Sequence, residues 1–172
     1  MMLNKITEIL NKSVQTGYKT AFQDILSLDW TSFIDAKKIP VSEECYTRIG
    51  ICSNEEHELI IVSWSKGQCT PPHNHDDQNC FFSILRGSFE ERSYTHNGKL
   101  NLINSHQLEL KQIQHQPDSN IYHSLHNQTD GVGLSLHLYV NPLKNCDWIN
   151  EEGVILNTGI SNHFEWDLLS NN

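Results

Sequence analysis

The sequence is short of basic residues. Lys and Arg number 12 against 21 Asp and Glu, a net charge of −9 over 172 residues with His neutral. Nucleic acids and anionic membranes are gripped through a basic face, so this balance argues against both partner classes. Long apolar runs are also missing. Stretches such as Leu59-Ile60-Ile61-Val62 are far too short to span a bilayer. The opening residues Met1-Met2-Leu3-Asn4-Lys5 lack the charged-then-apolar pattern of a secretory signal. The cysteines, Cys45, Cys52, Cys69, Cys80 and Cys146, are odd in number and show no CxxC pair. Neither a secreted disulfide framework nor a zinc knuckle is indicated, and a reducing cytoplasm is the expected setting. No repeat, linker or low-complexity tract breaks the chain, so residues 1–172 are expected to form a single domain with a real core. A monomer is expected, because no long apolar surface stripe is visible.

What is present begins with apolar and aromatic content: 37% hydrophobic residues, with four Trp, five Tyr and six Phe, suit a folded globule. Residues 1–40 read as a short helical region. Leu3, Ile6, Ile9, Leu10, Val14, Phe22, Ile25, Leu26 and Leu28 recur at spacings of three and four, which predicts two or three short helices broken near Gly17 and Asp29 and closed by Pro40. Strand-like runs follow at 46–53, 59–65, 79–86, 88–95, 101–103, 107–112, 121–127 and 133–140. Turn residues separate them, and Asn97-Gly98 is the strongest hairpin signal. Many short strands without intervening helices predict an all-β sandwich or small antiparallel barrel over 45–142. The tail, 143–172, is expected to wrap the outside.

Ten His is the oddity of the composition. His73 and His75 stand two apart on extended chain, where side chains alternate, so both imidazoles can reach one ion. Alone, an HxH pair also reads as two solvent-facing loop residues. The wider spacing Gly67-x5-His73-x-His75-x4-Cys80-x6-Gly87 resembles the first cupin motif, with Cys80 where that superfamily usually has Glu. His123-x3-Asn127 resembles the second motif, which supplies a third His. Asn120 stands where a Gly is usual, and His126 is a rival to the favoured His123. Three neutral His without a carboxylate leave a bound divalent ion its full charge. Such a site favours an anionic ligand such as a thiolate and keeps positions open for a small molecule such as O₂.

Pro72-His73-Asn74-His75 with Cys80-Phe81, the string Ser135-Leu136-His137-Leu138-Tyr139, and Tyr46-Thr47-Arg48 upstream together resemble the cysteine dioxygenase family of the cupin superfamily. The resemblance covers roughly residues 45–148. It implies a cupin-type antiparallel β-barrel (double-stranded β-helix) in which His73, His75 and His123 hold Fe(II). It further implies that Arg48 binds the carboxylate of L-cysteine and that Tyr46 lines the same pocket. Tyr139 is implied beside the iron, in a hydrogen-bonded relay with Ser135 and His137 and able to form a thioether with Cys80. The implied reaction adds both atoms of O₂ to the cysteine sulfur, giving cysteine sulfinic acid. Two departures stand out. Tyr139 is followed by Val140-Asn141-Pro142 where the family often has Ser-Pro-Pro, and the Asp76-Asp77-Gln78 loop is more acidic than in animal members.

Several parts of this reading stand on general chemistry. Ser135, His137 and Tyr139 alternate along one strand and share a face, while Leu134, Leu136 and Leu138 share the other. A polar face inside a small barrel is costly unless its members bond one another. A planar guanidinium suits a carboxylate because it donates two parallel hydrogen bonds. Trp64 reads as core packing, and His57, His96, His106, His115 and His163 as solvated. Cys45, Cys52 and Cys146 read as structural, and Cys69 as a candidate for the pocket entrance. The rival functions are a dioxygenase for 3-mercaptopropionate or another thiol acid, whose enzymes tend to carry Gln where Arg48 stands, and a different metal-dependent cupin. A non-enzymatic sensor or interaction module is disfavoured by the Ser135, His137 and Tyr139 set.

Overall fold

The computed structural model describes residues 2–35, 39–75, 79–116, 120–142, 145–150, 152–159 and 163–165. The Asp76-Asp77-Gln78 loop and the side chains of Cys146 and His163 lie outside the described residues.

Apolar spacing and two breakers shape the N-terminal region into helices α1 (Met2–Asn11), α2 (Ser13–Thr16), α3 (Tyr18–Leu26) and α4 (Trp30–Asp35). Gly17 separates α2 from α3 at φ +86°, a conformation that costs a glycine little. Asp29 begins α4 by accepting the Ser32 amide on Oδ1 at 3.1 Å. Both expected breaks are present, with a further one at Lys12. Ile6, Leu10, Phe22, Ile25 and Trp30 turn inward and cover a sheet.

That sheet contains β1 (Thr47–Ser53), β2 (His57–Trp64), β3 (Cys80–Arg86), β6 (Gln114–Gln116), β8 (Gly133–Val140) and β11 (His163–Glu165), in the order β11-β1-β2-β8-β3-β6. A second sheet, ordered β5-β4-β7, is built from β4 (Phe89–His96), β5 (Leu100–Leu108) and β7 (Tyr122–Asn127). Strand β8 is central and antiparallel to both β2 and β3. Its alternation decides the layout. Leu134, Leu136 and Leu138 join Leu59, Ile61 and Phe81 beneath the helices. Tyr139 joins Ile60, Val62, Trp64, Cys80 and Phe82 on the inner face, where Phe89, Leu108 and Leu125 of the second sheet close the core. This is the expected all-β, cupin-type antiparallel barrel with a short helical start.

Two expectations need correction. The run at 101–103 continues through Asn104-Ser105-His106 to Gln107 and Leu108 as one strand, β5, and residues 109–112 lie beyond its end. Polar residues read as a turn, but β5 borders its sheet and is exposed along most of its length, so polar side chains cost it nothing. His57 is not solvated. It is 4% exposed, its ring edge-on to Tyr18 at 6.2 Å, because β2 is buried on both faces. In the tail, β9 (Asn145–Ile149) pairs with β10 (Ile155–Gly159) and runs beside the HxH segment. There Ile149 N–H donates to Pro72 O at 2.8 Å and Asn74 N–H to Asp147 O at 3.2 Å. No cis peptide bond occurs among the described residues, and no helix there is long and apolar enough to cross a membrane.

Candidate metal centre

The HxH segment lies antiparallel to β7. His73 and His123 exchange both backbone hydrogen bonds, at 2.9 and 2.8 Å, and Cys69 bridges to His126. This zipper brings three imidazoles together. One ring nitrogen from each of His73, His75 and His123 lies within 4.8 Å of the others, and the Nε2 atoms of His75 and His123 are 2.8 Å apart. Along β7, Leu125 faces the core, so His123 does too, and His126 points away. His126 instead bonds the Ser124 hydroxyl at 2.8 Å. The structure therefore gathers the favoured His123 and leaves its rival outside.

Hydrogen bonds at the far nitrogens orient two of these rings. A carbonyl can only accept, so His73 Nδ1–H donates to Pro71 O at 3.0 Å, leaving the Nε2 lone pair for the centre. His123 Nδ1 lies 2.7 Å from Glu91 Oε1, with the same consequence for its Nε2. Desolvation, then the neighbouring His123, pulls His73 down to about 3. Burial first and the surrounding cationic groups next hold His75 and His137 well below the ordinary histidine range. Imidazoles kept neutral are the form that ligates a cation. The nitrogen donors fit a borderline divalent metal, and the His75 and His123 Nε2 atoms, 2.8 Å apart, are close enough either to share a hydrogen bond or to ligate one ion.

The other sequence-derived residues border this cluster. Cys80 and Tyr139 are register partners across β3 and β8, and both are buried. Burial pushes both the Cys80 thiol and the Tyr139 phenol up, so neither is ionised near neutrality. The Tyr139 hydroxyl accepts from Arg48 Nη1 at 3.4 Å, and the guanidinium lies 5.3 Å from the phenol ring centroid. Tyr46 packs on Trp64 with ring centroids 4.9 Å apart. Trp64 is core, as expected, but its indole N–H also donates to Ser135 Oγ at 2.9 Å. Ser135 bonds His137 Nε2 at 2.8 Å. The relay stops there. His137 and Tyr139 stack with centroids 6.1 Å apart, because residues two apart on a strand lie side by side and their ring tips run parallel. Cys69 is exposed.

Two carboxylates escaped the motif reading. Glu91 on β4 is 2% exposed and sits behind His123, with the exposed His106 3.6 Å from its other oxygen. Glu58 on β2 pairs with Arg48 Nη2 at 3.2 Å. Strand phase was the available signal. Glu91 is in step with the inward Phe89, and Glu58 with the inward Ile60 and Val62.

Comparison with known proteins bears on the family and the fold. The chain is 29% identical over 98 residues to cysteine dioxygenase type 1 of Rattus norvegicus, and equally to that of Mus musculus, covering 54% of this chain and 49% of each relative. It thus spans about half the length of these curated relatives. TT1209 from Thermus thermophilus superposes with a TM-score of 0.51 at 16% identity, over 60% of this chain and 90% of that one. KdgF from Halomonas sp. does so at 0.50 and 14%, over 63% and 90%. These two structures speak to the fold alone. Residues 23–152 match the family described as cysteine dioxygenase type I, and the chain belongs to that family.

Proposed function

We propose that the protein is an Fe(II)-dependent thiol dioxygenase that converts L-cysteine and O₂ to cysteine sulfinic acid. The observation that carries this reading is the convergence of three imidazoles beside a buried guanidinium: His73, His75 and His123 within 4.8 Å, and Arg48 bonded to Tyr139 at their edge. In this reading the three histidines hold the iron. The bound ion supplies a place where thiolate and O₂ meet and exchange electrons. The chain's own residues do the positioning. Arg48 takes the substrate carboxylate, and Tyr46, packed on Trp64, walls the same space. Tyr139 holds its hydroxyl beside Arg48 as a proton donor toward the reacting oxygens. Ser135 and Trp64 fix His137, whose neutral ring stacks between Phe82 and Tyr139.

The overall reaction balances without a further reductant. The thiol sulfur forms two S–O bonds and supplies every electron that O₂ takes up, and the thiol proton ends on the sulfinate or in solvent. The test is anaerobic loading with Fe(II), then cysteine and air, with sulfinate and O₂ consumption measured. Sulfinate formed in step with O₂ uptake is the expected result. Bound zinc, with no O₂ uptake after iron and cysteine are added, overturns the reading in favour of a different metal-dependent cupin. Faster turnover of 3-mercaptopropionate than of cysteine overturns the substrate.

A further inference from the structure

We propose that Glu58 is the specificity-determining residue that selects a thiol substrate carrying an amino group beside its carboxylate. The inference rests on the thiol dioxygenase reading and adds to it a basis for choosing the amino acid over a plain thiol acid. Glu58 and Arg48 form a buried ion pair at 3.2 Å, with side chains 9% and 6% exposed. Glu58 is the register partner of Tyr139, whose hydroxyl accepts from the same guanidinium. Cation, carboxylate and phenol thus meet at one point, next to the imidazole cluster, where the His75 ring stacks on Tyr139 at 5.8 Å.

A buried carboxylate at this point works against simple anion binding. An unpaired guanidinium offers an incoming carboxylate its full charge. One already paired with Glu58 offers much less, and Glu58 repels the newcomer. A thiol acid with nothing but its carboxylate to present therefore binds at a loss. An α-amino acid offers both halves of a complementary pair. Its nitrogen and carboxyl carbon share one neighbour and lie about 2.5 Å apart, close to the 3.2 Å spacing of the protein's own donor and acceptor. Its carboxylate takes donors from Arg48, while its N–H groups donate to Glu58, whether the nitrogen is an ammonium or a neutral amine. Discrimination of this kind combines an attraction for one ligand with a repulsion against the other.

The experiment is Glu58→Gln, which keeps the side-chain shape and an amide oxygen for Arg48 but removes the charge. Initial rates with L-cysteine and with 3-mercaptopropionate are measured for both proteins. Anaerobic titration calorimetry of each compound on the Fe(II)-loaded proteins gives binding apart from turnover. The expected result is a fall of at least about tenfold in the preference for cysteine, in rates or in affinities, with 3-mercaptopropionate unchanged or improved. Because the readout is a ratio within one protein, a general loss of folded or iron-loaded protein cancels. A preference within about threefold of the unsubstituted protein, or equal losses for both compounds, overturns the proposal. Failure of the parent protein to oxidise either thiol counts against the dioxygenase reading, and the calorimetric ratio still decides the role of Glu58.

Discussion

Glu91 Oε1 lies 2.7 Å from His123 Nδ1, and both side chains are buried. The pair is diagonal across β4 and β7: Glu91 opposes Leu125, and His123 opposes Ser93. A carboxylate behind a histidine fixes the tautomer and makes the opposite nitrogen more electron-rich. In the proposed metal centre a carboxylate therefore stands one layer behind the imidazole cluster. Substituting Glu91→Gln keeps an acceptor and removes the charge. Iron affinity, measured by competition with a chelator, is expected to fall by about 10- to 100-fold. Iron retention equal to that of the parent protein counts against this role.

Cys80 and Tyr139 face each other across β3 and β8 on the inner side of the barrel. A thioether between Cys80 Sγ and a Tyr139 ring carbon removes one hydrogen from each, and O₂ at the same site is the oxidant. Repeated turnover with Fe(II), cysteine and air is expected to yield a fraction of protein lighter by the mass of two hydrogens. Intact-mass spectrometry reads this directly. Cys80→Ser and Tyr139→Phe are each expected to abolish the lighter species. Tyr139→Phe is also expected to lower the sulfinate formed per O₂ while iron content stays the same. A lighter species persisting in either variant places the link elsewhere.

Asn127 shows what a motif residue can do far from chemistry. The two N–H groups of its Nδ2 are shared among Trp64 O, Ser65 O and Gly131 O, at 3.1, 3.0 and 3.1 Å, and its Oδ1 accepts the Thr129 amide at 3.0 Å. One amide thus ties the end of β2 to the turn between β7 and β8. Substituting Asn127→Ala takes this donor from Trp64 O and Gly131 O, while Ser65 O keeps the Gln68 N–H, at a cost of about 1–3 kcal/mol. Urea unfolding is expected to show the lower midpoint with an unchanged slope, and an unaltered midpoint removes this role.

The sequence made the inner half of the site legible because strand periodicity and histidine spacing report the same thing. His73, His75, Cys80, Ser135, His137 and Tyr139 lie on or beside strands whose phase is marked by apolar neighbours. His123 was favoured over His126 by the His123-x3-Asn127 spacing, and the strand phase marked by Leu125 places it on the inner face. Glu58 and Glu91 were missed because a carboxylate in a strand is ordinarily solvated, and only its partners justify burying it. Those partners, Arg48 and His123, are 10 and 32 residues away along the chain. Strand β5 was split for a related reason, since its exposed face carries the polar residues of a turn.

His57 provides a test of buried charge outside the metal centre. Its ring lies under α3 against Tyr18, and its Nδ1 is buried without a hydrogen-bond partner among the described residues. Burial holds its pKa below the ordinary value, with Glu56 opposing that shift. A histidine depressed in the folded state takes up its proton in the unfolded state first. It therefore costs no stability well above about pH 6.5 and destabilises the fold progressively as pH falls from there toward the folded-state value. Substituting His57→Phe keeps a ring against Tyr18 and removes the proton-binding group. The variant's midpoint in urea, relative to that of the parent protein, is expected to rise steadily between pH 7 and pH 5. A difference that stays constant over that interval shows that His57 protonates as readily in the folded protein as in the unfolded chain.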